Sequence, residues 1–181
     1  MDFKNTYSFD DVLLTPQYSD IPSRSQVDIS SPLDSTRKLS LPVISSPMDT
    51  ITESKMASAM SDHGGLGVVH RYNTISEQVE IINKCSGPAA AAIGVTGDFQ
   101  ERSMACVEAG VKILCVDIAH GHHILMKNAL EKLRNIFGDN IHIMAGNVAT
   151  LEAFDDLSRW GADSIRVGIG GGSICSTCSE I

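Results

Sequence analysis

Ile113-Leu114-Cys115-Val116-Asp117-Ile118 decides how this chain folds: it is apolar almost throughout, with a single carboxylate near its close. A strand with one wet face alternates apolar and polar residues. This one does not, so it reads as buried on both faces, the mark of a parallel sheet. Five further runs have the same character: Leu41 to Ser45, Gly65 to Val69, Ala89 to Val95, Ile141 to Ala145, and Ser164 to Ile169. Their lengths suit strands, and they begin at residues 41, 65, 89, 113, 141 and 164. That spacing leaves room for a strand, a loop, a helix and a return.

The intervals between the runs carry helix signals. Thr50 with Glu53, Thr74 with Glu77, and Asp98 with Glu101 stand at capping-box spacing or close to it. Gly110, Gly138 and Gly161 fall where the residue just past a helix belongs, each shortly before the next run. Alternating strand and helix with a parallel sheet predicts a (β/α)8 barrel. A doubly wound sheet is the alternative, but its glycine fingerprint belongs at the first strand–helix turn, which here reads Ser45-Ser46-Pro47-Met48-Asp49. A barrel has eight units and about 250 residues. Six strands are visible, and the sequence ends at the loop after the sixth, so a barrel truncated there is expected.

The totals narrow the field. With 181 residues, 43% of them hydrophobic and 20% charged, the chain suits one core and is short for two domains. A net charge of -8 gives no basic field for nucleic acid, and the 14 Lys and Arg are scattered. Cys85, Cys106, Cys115, Cys175 and Cys178 are odd in number, and two lie in apolar runs, which points to a reducing compartment. Met1 to Asp10 has no signal-like apolar core, and no apolar run reaches the roughly 18 residues of a membrane span. A cytoplasmic protein without a membrane partner is expected.

In such a barrel, ligands meet the C-terminal ends of the strands. The residues there are Ser46, Met48 and Asp49; His70 and Arg71; Thr96, Gly97 and Asp98; Asp117, His120 and Gly121; Gly146 and Asn147; and finally Gly168 through Cys175. Gly168-Ile169-Gly170-Gly171-Gly172-Ser173-Ile174-Cys175 sets a thiol at the end of a glycine-rich loop. Glycines remove the Cβ atoms that hold a backbone off a ligand, so successive N–H groups can face an anion. On spacing alone the same stretch also reads as a flexible tail. His120, His122 and His123 lack a carboxylate or cysteine at a matching spacing, which argues against zinc; Cys175 and Cys178 form a single C-x-x-C pair, a weak metal signal.

Taken in order, these segments resemble the family of inosine 5′-monophosphate dehydrogenase and guanosine 5′-monophosphate reductase. The resemblance rests on Tyr7 to Leu14, Ile44 to Thr50, Gly64 to Gly67, Ala92 to Thr96, Val116 to His122, Ala145 to Thr150 and Gly168 to Thr177. It implies a catalytic barrel over residues 1–181 with Cys175 as the nucleophile that adds to C2 of the purine, an electron-poor carbon suited to a soft thiolate. Addition gives a tetrahedral carbon that releases hydride to NAD, and hydrolysis of the thioimidate yields XMP from IMP. The reductase runs related chemistry from GMP with NADPH. The resemblance also implies substrate-binding roles for Ser46, Met48, Asn147, Arg166, Ser173 and Thr177, cofactor-binding roles for Asp117 and His120, and a potassium ion on the carbonyls of Gly170, Gly172 and Cys175. A homotetramer or octamer is the family's usual assembly.

The chain departs from the family pattern in three places. Arg71 to Ala89 bridges with one helix the point where most dehydrogenases insert a pair of regulatory modules. Cys178 stands where the family carries a non-cysteine residue, which creates a potential disulfide with Cys175. The remaining phosphate contacts and the water-activating flap of the family lie beyond Ile181, so a partner chain supplying strands, or an inactive nucleotide-binding half-barrel, stands beside the enzyme reading. Ala119-His120-Gly121-His122 favours the dehydrogenase, and the uninterrupted second interval favours the reductase. A phosphate-binding barrel of unrelated chemistry is the remaining alternative.

Overall fold

Each of the six apolar runs becomes a strand of one parallel sheet. The computed structural model describes Tyr7 and residues 11–170. A short 3-10 turn, Arg24–Gln26, precedes a two-stranded antiparallel hairpin of β1 (Ser31–Pro32) and β2 (Lys38–Leu39). Then follow β3 (Ile44–Ser45), α1 (Ser54–Asp62), β4 (Leu66–Val69), α2 (Ile75–Asn83), β5 (Ala89–Ile93) and α3 (Phe99–Glu108). The series ends with β6 (Ile113–Asp117), α4 (Ile124–Phe137), β7 (His142–Val148), α5 (Leu151–Arg159) and β8 (Ser164–Val167). Strands β3 to β8 lie side by side in sequence order and are parallel throughout. The described chain thus forms six strands of a (β/α)8 barrel.

The two apolar clusters explain why the strands do not alternate. Ala91, Ile93, Leu114, Val116, Ile143 and Ala145 pack outward against Ile82, Cys106, Met126, Leu130, Leu133 and Leu157 of the helices. Their neighbours Val68, Ala90, Ala92, Ile113, Cys115 and Met144 face the other side, where Leu33 and Leu39 of the hairpin close over them. Successive residues of a strand therefore meet different cores, and both are dry. Ala89 to Ala92 has little intrinsic preference for strand, yet β5 forms because β4 and β6 pair with it on either side. Among the described residues no helix is long and apolar enough to cross a membrane.

Local signals decided some element ends and not others. Thr74 and Glu77 form the expected capping box at α2, each bonding the other's backbone N–H. Gly110 and Gly161 follow α3 and α5 with φ of 101° and 106°, a left-handed geometry that a side chain resists. Thr50 does not cap α1: residues 48–52 form a turn, with Ile51 N and Thr52 N donating to Met48 O at 3.0 Å, and the helix starts later with Glu53 at its cap position. Asp98 occupies the cap position of α3 without bonding its N–H groups, because its carboxylate is held by Arg102. The first run shortens to Ile44–Ser45, since Pro42 has no N–H to offer a ladder. The fifth extends to Val148, with an irregularity between Gly146 and Val148 where β8 pairs.

The hairpin is fastened to the sheet by buried polar contacts. The Asp34 carboxylate meets Nδ1 of His142 at 2.7 Å, and Nε2 of that ring meets Ser164 Oγ at 2.7 Å. Burial opposes the charge of Asp34, but hydrogen bonds from Thr36 and Arg37 outweigh it and hold the carboxyl far below its usual range. Beside it Asp163 ties α4 to the sheet, accepting from the Ile143 N–H at 2.7 Å and pairing with Arg134.

Candidate active site

Side chains and loops at the C-terminal ends of β3, β4, β6, β7 and β8 enclose a cavity of about 380 Å³. Ser46, Pro47 and Met48 line it after β3, Arg71 and Tyr72 after β4, and Asp117, Ile118 and Ala119 at the end of β6. Asn147, Arg166, Gly168, Ile169 and Gly170 complete it. The expected convergence of six strand ends is realised by five. Thr96, Gly97 and Asp98, after β5, do not line the cavity, because Asp98 turns to the helix that follows and pairs with Arg102 at 2.7 Å.

Asp117 and Arg166 form an ion pair at the floor of this cavity, each about three-quarters buried. Gly146 makes the approach possible. It pairs with Arg166 across β7 and β8, and a Cβ on it would lie 2.6 Å from the Arg166 Cβ, closer than atoms allow. A second nitrogen contact of Arg166 reaches Cys115 Sγ at 3.7 Å. Burial pushes the Cys115 thiol up to about 11, so it meets Arg166 as a neutral group. Burial disfavours the Arg166 charge, but its hydrogen bond to the Cys115 sulfur and the Asp117 carboxylate outweigh it, and the guanidinium stays charged.

Asn147 binds three segments together. Its side-chain amide donates to Gly168 O at 2.8 Å, its N–H donates to Ile118 O at 3.0 Å, and its carbonyl accepts from Gly121 N at 2.7 Å. The start of the glycine-rich loop and the loop after β6 are thereby set against each other. Thr52, fully buried, does the same for the first loop by donating to Ser46 O at 2.6 Å. It carried no recognisable signal in sequence, since a hydroxyl there resembles any turn residue.

Arg71 is the functional side chain that spacing alone did not single out among the strand-end residues. Its guanidinium donates to Asp117 O at 3.3 Å and lies 5.5 Å over the Tyr72 ring, while Nε is buried with no partner among the described residues. A buried donor without an acceptor is costly in a finished protein. Two guanidinium groups and one carboxylate therefore face a space suited to a small polar ligand.

The expected site residues divide into three groups. Ser46, Met48, Asp117, Asn147, Arg166 and Gly170 line the one cavity. His120 is exposed and stands outside its lining. Gly172, Ser173, Cys175, Thr177 and Cys178 lie outside the described residues. Of the three carbonyls assigned to potassium, Gly170 alone falls within them, with φ 64°. Among the described residues no three His, Cys, Asp or Glu side chains gather as a metal site.

A parallel β/α barrel with a polar cavity at the strand ends, lined by the first residues of a glycine-rich stretch, Gly168 to Gly170, defines a class of ligand-binding and catalytic barrels. Within that class, residues 6–180 match the IMP dehydrogenase / GMP reductase domain, and the chain belongs to this family. The inosine-5′-monophosphate dehydrogenase of Nitrosopumilus maritimus is 29% identical over 98% of this chain and 64% of its own length. A GMP reductase of Aliivibrio fischeri is 35% identical over 93% of this chain and 51% of its own. The crystal structure of inosine 5′-monophosphate dehydrogenase from Legionella pneumophila superposes with a TM-score of 0.87 at 45% identity, covering 96% of this chain and 54% of that one. The chain thus spans about half to two thirds of the length of these relatives.

Proposed function

We propose that the chain carries the nucleotide-binding half of a purine nucleotide oxidoreductase that oxidises IMP to XMP with NAD. The observation that carries this reading is the cavity: all the described candidates except His120 line it, although they come from separate loops. The 45% identity with the Legionella dehydrogenase favours IMP as substrate.

In this reading Ser46, Met48 and Asn147 seat the nucleotide against the sheet, and Ser173 and Thr177 bind it from the glycine-rich loop. The Cys175 thiolate adds to C2 of the purine, forming a carbon–sulfur bond and a tetrahedral centre. NAD, when bound, would supply the hydride acceptor; loss of hydride from the tetrahedral carbon would leave a thioimidate on Cys175 for water to cleave. Asp117 fits a ribose: Arg166 engages Oδ1 and leaves Oδ2 without a partner among the described residues, and a carboxylate oxygen accepts well from a vicinal diol. Arg166, fixed by that pair and the Cys115 sulfur, shapes the wall beside the nucleophile. The carbonyls of Gly170, Gly172 and Cys175 are the proposed potassium ligands, and a homotetramer the proposed assembly.

A GMP reductase is the second reading. Its support is that the Aliivibrio reductase aligns over 181 positions for 93% of the chain, whereas the Nitrosopumilus dehydrogenase needs 307. Incubation of the protein with IMP and NAD, and separately with GMP and NADPH, separates the two by absorbance of the reduced nicotinamide. Accumulation with IMP supports the dehydrogenase; consumption with GMP supports the reductase; no binding of either nucleotide by titration refutes both.

A further inference from the structure

Between α2 and α3 lies a polar network that the proposed chemistry does not use. Gln78 is fully buried and Arg102 is 6% exposed. The Gln78 amide donates from Nε2 to Ala92 O at 2.9 Å and to Val69 O at 3.4 Å, near the C-terminal ends of β5 and β4. Its Oε1 accepts from Arg102 Nη1 at 2.9 Å and from Cys106 Sγ at 3.6 Å. Arg102 in turn donates from Nη2 to Asn73 O at 2.9 Å and from Nη1 to Asn73 Oδ1 at 3.4 Å. Its remaining contacts, Nε and Nη2, go to the two carboxylate oxygens of Asp98 at 3.3 and 2.7 Å. All five donors of the guanidinium are used.

The arrangement brackets one short segment. Val69, the last residue of β4, is held by Gln78, and Asn73 is held by Arg102; Arg71 lies between them. Among the described residues Arg71 itself has only the long contact to Asp117 O and the Tyr72 ring, so its aim into the cavity follows from the backbone that carries it. A buried charge is weak evidence of stabilisation, because apolar residues of similar volume usually serve as well between two helices. What apolar side chains do not supply is a fixed distance to particular carbonyls.

We propose that Gln78 and Arg102 are positioning residues, which hold residues 69–73 so that the Arg71 guanidinium faces the bound nucleotide. This rests on the functional reading above and adds to it a support layer on the far side of the sheet. The test is a double-mutant cycle on the full chain, with IMP affinity measured by titration calorimetry and folding followed by thermal melting. Gln78→Met conserves volume and is expected to weaken IMP binding about tenfold while the melt stays cooperative. In an Arg71→Ala background the same substitution is expected to change affinity less than about twofold, because the group it positions is gone. Arg102→Lys is the second variant: it keeps the charge and a contact to Asp98 but cannot also reach Asn73, and it is expected to behave like Gln78→Met.

Equal losses with and without Arg71, or affinity within about twofold of wild type for both variants, overturn the assignment. Should Gln78→Met fail to fold, Arg102→Lys decides by the same comparison. A wild-type chain with no affinity for IMP or GMP refutes the functional reading and this assignment together, and that outcome is visible before any variant is made.

Discussion

Gly146→Ala puts a methyl group where the structure has least room. The added Cβ would sit 2.6 Å from the Arg166 Cβ and 2.9 Å from the Arg166 carbonyl oxygen, against an ordinary carbon contact of about 3.5–4.0 Å. About 1 Å must be found, and neither neighbour is the loose end of a flexible side chain. One contact is backbone and the other is the first atom of a side chain paired with Asp117. Strands β7 and β8 must therefore separate locally, at a cost of about 1–3 kcal/mol, the usual range for overpacking. In a domain of this size that is a fall in melting temperature of roughly 2–12 °C. The same displacement moves Arg166 off Asp117, so nucleotide affinity falls as well. Denaturant unfolding and IMP titration measure the two effects. Gly110→Ala is the control: its Cβ would meet nothing within 4 Å, and at φ 101° it strains only its own backbone, far from the cavity. It should lower stability and leave IMP affinity unchanged. If Gly146→Ala unfolds at the wild-type midpoint, the packing argument for how Arg166 is placed is wrong.

Thr74→Ala removes the hydroxyl half of the α2 capping box, the Oγ1 that accepts from the Glu77 N–H, and should cost about 1 kcal/mol, seen as a lower denaturant midpoint with an unchanged slope. Asp34 is an acid whose folded pKa is depressed, so the stability it contributes is complete above its unfolded value near 3.9 and is lost as pH falls toward the folded one. Wild type should weaken below about pH 4 more steeply than Asp34→Asn, and parallel midpoint curves for the two proteins would contradict this. Cys106 and Cys115 have thiols pushed up to about 11 by burial, so at neutral pH they should resist iodoacetamide until the chain is unfolded, as peptide mass spectrometry would show.

The parts of the fold legible in sequence were those set by burial and local chemistry. Continuous apolar runs gave all six parallel strands because each run has a core on both sides, and the Thr74–Glu77 pair gave a helix start because its partners are three residues apart. Thr50 misled since the same spacing recurs in a tight turn, and only the contact of Thr52 with Ser46 O, made across the folded loop, shows which structure wins. The cavity was legible as a list of strand-end residues. Thr96 to Asp98 were indistinguishable from the others until Arg102 was seen to draw Asp98 away. Gln78 and Arg102 were invisible for the same reason: in sequence they are two polar residues of separate helices, and their meaning lies in carbonyls that only the sheet brings within reach.

The measurement that bears most directly on the account is the alkylation rate of Cys175 in the native protein, read by peptide mass spectrometry with and without saturating IMP. The account predicts strong protection by IMP, none by a pyrimidine mononucleotide, and a purine adduct on Cys175 when NAD is also present. Equal alkylation rates in all three conditions, with no adduct, would contradict it.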